Sequence, residues 1–295
     1  MTIGTGKTST IIGLVTALLA TSCKRVLIAA PSNAAVDEIC RRLMHGISRS
    51  GGNVTKVSLI RMGLPLTNDP EIEKLSLEYQ TEKLVQQSGG FQRLQISMKA
   101  INELQLKMQT FLQQKSGLSG EGAYRTLQQE LSKHKQNKKS AENEIERDRS
   151  MYRQDLLFNA EVVIATFSGS GNKIMIDYIK NGTISCYDTV ILDEAAQATE
   201  PSSLIPLKYG CRKLVLVGDP RQLPATCLSK AANDAGLGRS LFERLERADH
   251  DVVMLTVQYR MHPGKYNNII TIFVVIIIKQ IFACSLQNIF IRVNS

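Results

Sequence analysis

Six short runs dominated by Val, Ile, Leu and Ala punctuate the chain, at residues 25–30, 57–61, 161–166, 189–193, 213–217 and 252–256. Each closes on a polar or Gly/Pro-containing loop, and most are followed by a segment whose apolar residues recur at helical spacing. Strands that are apolar along their whole length, alternating with helices, predict a parallel sheet covered on both faces. In such sheets ligands gather at the carboxyl ends of the strands.

Between residues 69 and 155 the pattern changes. This stretch is rich in Gln, Lys, Glu and Ser and has no strand-like run. Leu94, Met98, Ile101, Met108 and Phe111 repeat at three- and four-residue spacing, a Gly/Ser break follows at residues 116–122, and a more polar helical stretch continues to about Tyr152. This predicts an antiparallel helical hairpin inserted into the sheet domain; on composition alone a charged linker is the competing reading. After residue 264 the character shifts again, to an isoleucine-rich run cut by Lys279 and Gln280. It has neither helical stripe nor alternation, is shorter than the roughly 20 residues of a membrane span, and reads as a β-prone tail. The expected organisation is therefore residues 1–68 and 156–263 as two parts of one α/β domain, 69–155 as the helical insertion, and 264–295 as a tail foreign to the fold.

Composition narrows this only slightly. Hydrophobic residues make up 43% and charged residues 21%, which is globular and not disordered. Lys and Arg outnumber Asp and Glu by 36 to 27, so polyanions suit the chain, although charge alone is a weak pointer to nucleic acid. The six cysteines form no C-x-x-C pair and there are four histidines, so no zinc spacing exists; reduced thiols in an intracellular protein are expected, and cysteine usage leaves nucleus and cytoplasm open. Lys7 and the apolar run 11–20 imitate a secretory signal. The same stretch is also a helix that follows a phosphate loop, and the motifs downstream decide for the helix.

Gly4-Thr5-Gly6-Lys7-Thr8 is the core of a Walker A loop, followed by Ser9. Glycines let backbone N–H groups turn in around phosphates, and the positive end of the following helix points at them. Lys7 would reach the β- and γ-phosphates of ATP, and Thr8 would place its hydroxyl on Mg2+. The run 189–192 then ends in Asp193 and Glu194, the Walker B arrangement, in which Asp193 holds Mg2+ and Glu194 positions and deprotonates the attacking water. A strand end followed by an acidic first helical turn explains the pair equally well taken alone. Gly218-Asp219-Pro220 delivers Gln222, whose amide can bond both water and γ-phosphate, though Gly-Asp-Pro is also plain turn chemistry. Arg260 follows the last run and could clamp γ-phosphate charge.

In order, the chain reads G-T-G-K-T, A-P-S-N-A-A-V-D-E, V-V-I-A-T-F, I-L-D-E-A-A-Q, L-V-G-D-P-R-Q-L-P-A-T and V-Q-Y-R-M-H-P. Together these resemble the first-motor-domain motifs of superfamily 1 helicases, the group that includes senataxin and the nonsense-mediated-decay helicase. The senataxin branch fits best, through the second string and the helical insertion. The resemblance implies a RecA-like P-loop NTPase fold and an ATP-dependent helicase. It implies ATP and Mg2+ at Gly4, Thr5, Gly6, Lys7, Thr8, Ser9 and Asp193, and catalytic roles for Glu194, Gln222 and Arg260. It also implies sequence-independent contact with single-stranded RNA or DNA at Pro31, Ser32, Asn33, Thr166 and Ser168, with no membrane partner. From spacing alone, backbone contact and turn-and-cap chemistry explain those two loops equally; the resemblance favours contact. A non-catalytic nucleic-acid-binding or regulatory piece is the alternative function.

Two departures accompany the resemblance. Met1 occupies the first glycine position of the Walker A motif, and the pattern stops after Pro263. The expectation is a piece of a motor, lacking a first strand that would pair beside the strand 189–193. That loss would leave an open central edge, poor solubility and negligible unwinding by the chain itself.

Overall fold

The computed structural model of the chain describes residues 7–21, 23, 25–48, 54–63, 65, 69–113, 120–180, 187–219, 222–250, 252–255 and 272–281. Two compact units emerge, Met1–Leu77 with Leu157–Ser295, and Glu78–Leu156. The first begins with α1 (Lys7–Ala20), β1 (Val26–Ala30) and α2 (Asn33–Leu43). A small ribbon of β2 (Ile47–Ser48) and β3 (Val54–Thr55) follows, then β4 (Leu59–Arg61) and α3 (Pro70–Glu73). Next come α4 (Leu77–Val85), α5 (Gly89–Gln113) and α6 (Gly120–Asn159). The sheet unit resumes with β5 (Val162–Thr166), α7 (Lys173–Lys180), β6 (Tyr187–Leu192), α8 (Glu200–Leu204) and β7 (Cys211–Val217). It continues through α9 (Lys230–Asp234), α10 (Leu241–Arg247), β8 (Val252–Leu255) and β9 (Ile272–Ile281).

Five strands run parallel in the order β4-β5-β1-β6-β7, with helices around them, as a RecA-like P-loop α/β domain requires. Central β1, Val-Leu-Ile-Ala-Ala, is buried along its whole length, which explains why it shows no polar alternation. Helix α1 sets Ile11, Val15 and Leu19 on one stripe at four-residue spacing. They join Val26, Ile28, Ile164, Ile191 and Val215 in a single core cluster. Helix α2 opens on Ser32, whose hydroxyl accepts from the Ala35 N–H at 3.3 Å, and buries Val36, Ile39, Cys40 and Leu43. The loops after β1, β5, β6 and β7 thus lie along one edge of the sheet.

One expectation about strand edges is corrected. Both edges of β6 are paired, by β1 and by β7, so the strand carrying Asp193 has no open side. The isoleucine-rich run supplies β9, which pairs antiparallel with β7 and β8. A run rich in Ile and Val suits such a place, where two neighbours saturate its backbone. No helix of the described residues is long and apolar enough to cross a membrane.

In the second unit α5 and α6 run antiparallel. Phe111 stacks on Tyr124 with ring centroids 6.1 Å apart, Arg93 pairs with Glu144, and Arg149 pairs with Glu82. Among the less exposed positions of α5, Leu94, Ser97, Ile101, Leu104, Met108 and Phe111 follow the alternation of three- and four-residue steps typical of a two-helix seam. Met98 is exposed, and Ser97 and Leu104 take the inward places. The matching line on α6 runs through Leu127, Leu131, His134, Lys138, Ala141 and Ile145.

Candidate functional site

Strand β6 ends at Leu192 and hands the chain to Asp193, whose N–H donates to the Ala29 carbonyl at 2.8 Å. Glu194 then adopts a left-handed conformation, φ 51° and ψ 37°, an unfavourable place for a residue with a Cβ. That turn brings the Glu194 carboxylate to Lys7, the first residue of α1, with Nζ to Oε1 at 2.7 Å. The side chains are 8% and 15% exposed. Asp193 beside them is 5% exposed and its Oδ1 accepts from the Glu194 N–H at 3.0 Å. Burial, and then the charge of Glu194, pushes the Asp193 carboxyl up to about 7 against the opposing pull of Lys7.

A chain of side-chain hydrogen bonds leads on from Glu194. Gln197 Nε2 donates to Glu194 Oε2 at 3.2 Å and to Gln222 Oε1 at 3.1 Å, while Gln222 Nε2 donates to Asp219 Oδ2 at 3.0 Å. Gly218 makes this closeness of the β6 and β7 ends possible, since a Cβ there would lie 2.9 Å from the Ala196 backbone nitrogen. Lys7, Asp193, Glu194 and Gln222 are therefore gathered at one edge, with Thr8 next along the first turn of α1. Ser9 is turned elsewhere, its hydroxyl accepting from Arg42 Nη1 at 3.0 Å. Gly4, Thr5, Gly6 and Arg260 lie outside the described residues.

A second cluster sits at the ends of β1 and β5, neighbours in register with Ala30 opposite Thr166. Pro31, Ser32, Asn33 and Ser168 are exposed, and Thr166 is half-buried. Their polar atoms also do local work. Thr166 Oγ1 accepts from the Gly169 N–H at 2.9 Å, and Asn33 Oδ1 accepts from Arg61 Nη2 at 3.1 Å.

The first cluster suits a nucleoside triphosphate with a hard divalent cation. Lys7 is a buried amine at a helix N-terminus, and Asp193 is a buried carboxylate that lacks a full positive counter-charge. No group of three or more His, Cys, Asp or Glu comes together among the described residues.

Reading from the sequence missed two participants. Gln197 stood three residues after Glu194, inside the same I-L-D-E-A-A-Q string, and its amide was the available signal. Arg61 closed an otherwise apolar strand run, a place where a charge calls for a partner; Asp37, which pairs with it, lies 24 residues earlier.

Comparison with known proteins agrees with this arrangement. The AAA domain family matches residues 2–230. The chain is similar to Helicase sen1 of Schizosaccharomyces pombe, at 36% identity over 88% of this chain and 18% of that protein. It is 33% identical to the Regulator of nonsense transcripts 1 homolog of Neurospora crassa, over 88% of this chain and 19% of that protein. With the Probable helicase senataxin of Homo sapiens it shares 29% identity over 88% of this chain and 11% of that protein. The chain thus spans less than a fifth of the length of these curated relatives.

Proposed function

The chain belongs to the AAA domain family, within the senataxin type of superfamily 1 helicases, and we propose that it binds and hydrolyses ATP with Mg2+ to drive movement along single-stranded RNA or DNA. The observation that carries this reading is the buried Lys7–Glu194 pair beside Asp193 at the carboxyl edge of the sheet. Lys7 would leave Glu194 to neutralise the β- and γ-phosphates. Thr8 and Asp193 would hold Mg2+, which when bound offsets phosphate charge as the bond to the terminal phosphorus breaks.

Glu194, freed from Lys7, would take a proton from the water that attacks the γ-phosphorus, and ADP would leave. Gln197 would hold the Glu194 carboxylate in place and pass its position to Gln222, which orients water and phosphate. Arg260 would supply a further cation. Pro31, Ser32, Asn33, Thr166 and Ser168 would line the path of the strand, binding its phosphates without regard to base sequence. Turning hydrolysis into unwinding needs a second body that closes on the nucleotide, so strand separation is proposed for an assembly containing two motor domains.

Nucleotide-analogue binding and single-turnover hydrolysis by the purified chain test the site. Lys7→Ala should weaken nucleotide binding at least tenfold, while Glu194→Gln should keep binding and slow hydrolysis by about a hundredfold or more. Nucleotide binding indifferent to Lys7→Ala would remove the basis of this reading.

A further inference from the structure

Arg61 has a wholly buried side chain, and its guanidinium makes three bonds. Nε donates to Asp37 Oδ1 at 2.9 Å, Nη1 to the Met62 carbonyl at 3.0 Å, and Nη2 to Asn33 Oδ1 at 3.1 Å. The first two satisfy only part of a group with five N–H donors. The third reaches from the interior to an exposed residue, the first of α2, in the loop after β1. A buried ion pair is seldom more stabilising than apolar residues of the same volume, so stability alone is a weak reason for it. What a planar, forked guanidinium adds is direction.

We propose that Arg61 is a positioning residue for nucleic-acid binding, holding Asn33 so that its amide N–H donors face the phosphate backbone. This rests on the loop after β1 being a strand contact. With Oδ1 held by Arg61, the two donors on Nδ2 fall on the other arm of the carboxamide, away from the guanidinium. Ser32 fixes the same turn as the cap of α2. The guanidinium is held firmly in its turn. The Arg61 N–H donates to the Leu75 carbonyl at 2.9 Å and the Met62 N–H to the Ile164 carbonyl at 2.8 Å. Arg61 is also in register with Ile164 on β5, the strand that ends in Thr166, so one frame fixes both loops. Asp37 cancels the charge of Arg61, which therefore supplies geometry to the site and no net attraction for a polyanion.

That distinction sets the test, read by anisotropy of labelled oligouridylate and oligothymidylate at several salt concentrations, with nucleotide-analogue affinity and thermal melting measured alongside. Asn33→Asp still accepts from Arg61 but loses the donors, so oligonucleotide affinity should fall about tenfold or more with melting and nucleotide affinity unchanged. Arg61→Met combined with Asp37→Leu removes the pair without stranding a charge. It should weaken binding by a similar factor and leave the slope of affinity against salt unchanged, whereas loss of a phosphate-contacting cation lowers that slope by about one. Adding Asn33→Ala to this double variant should cost no further affinity. A folded double variant that binds like wild type, or losses that add in full with Asn33→Ala, would overturn the role of Arg61 while the strand contact stands. Wild-type binding by Asn33→Asp, Ser32→Ala and Thr166→Ala alike would sink the strand contact, and the role of Arg61 with it.

Discussion

In the sheet unit Arg61, Asp37 and Asn33 satisfy one another's hydrogen bonds, as do Lys7, Glu194, Gln197, Gln222 and Asp219. In the helical unit, by contrast, Glu78 Oε2, His134 Nδ1 and Arg153 Nε are buried without a partner among the described residues. The sheet unit has one such atom there, the Tyr187 hydroxyl, and it lies away from either cluster. Buried polar groups cost stability unless paired, and when fully paired they fix a unique geometry. The sheet unit thus holds its polar interior in one arrangement at the edge where chemistry is proposed. The hairpin seam carries polar residues that leave it less firmly determined.

The largest expected effect attacks the first half of that contrast. Arg61→Ala removes the guanidinium from beside a buried Asp37 carboxylate, and breaking such a pair costs about 3–5 kcal/mol. Urea unfolding of the variant against wild type measures it. A change below about 1 kcal/mol would show the network to be ornamental, and the contrast would fail.

These same networks mark the limit of what the sequence revealed. Strands β1, β5, β6 and β7 were readable because burial on both faces selects unbroken runs of Val, Ile and Leu. Asp193, Glu194 and Gln222 were readable because each follows a strand end at short spacing, and Lys7 because it stands in the Gly4-Thr5-Gly6-Lys7-Thr8 string. The pairing of Arg61 with Asp37 was not, since it is set by strand order, which no local spacing records. Strand order also hid the place of β9, an apolar run whose neighbours are decided by which edges are available. In the hairpin, seam places held by Ser97, His134 and Lys138 dilute the periodic signal.

The next effect comes from Asp193. Its carboxyl titrates near 7 in the folded chain and near 3.8 when unfolded, so the unfolded state gives up the proton first. Stability from this group is therefore full below about pH 4 and is lost as pH rises through 7, by something on the order of 4 kcal/mol with the pull of Lys7 already included. Asp193→Asn should flatten that part of the profile of unfolding free energy against pH. An unchanged slope between pH 4 and 7 would mean that the carboxylate is already compensated, and that the site is less ready for a cation than its burial suggests.

The smallest effect probes the hairpin. His134 faces the seam between Leu131 and Lys138, with Nδ1 buried and unpartnered. Leucine at this position would remove the orphan polar atom, add apolar contact and suit the helix better, raising stability by about 1 kcal/mol. Lys133→Leu on the exposed side of the same helix is the control, expected to change stability by no more than a few tenths of a kcal/mol. Urea unfolding followed by far-ultraviolet circular dichroism reads both variants. Equal gains would trace the effect to helix propensity and leave the seam unproven. A loss on His134→Leu would mean that Nδ1 has found a partner, and the hairpin would then join the sheet unit in satisfying what it buries.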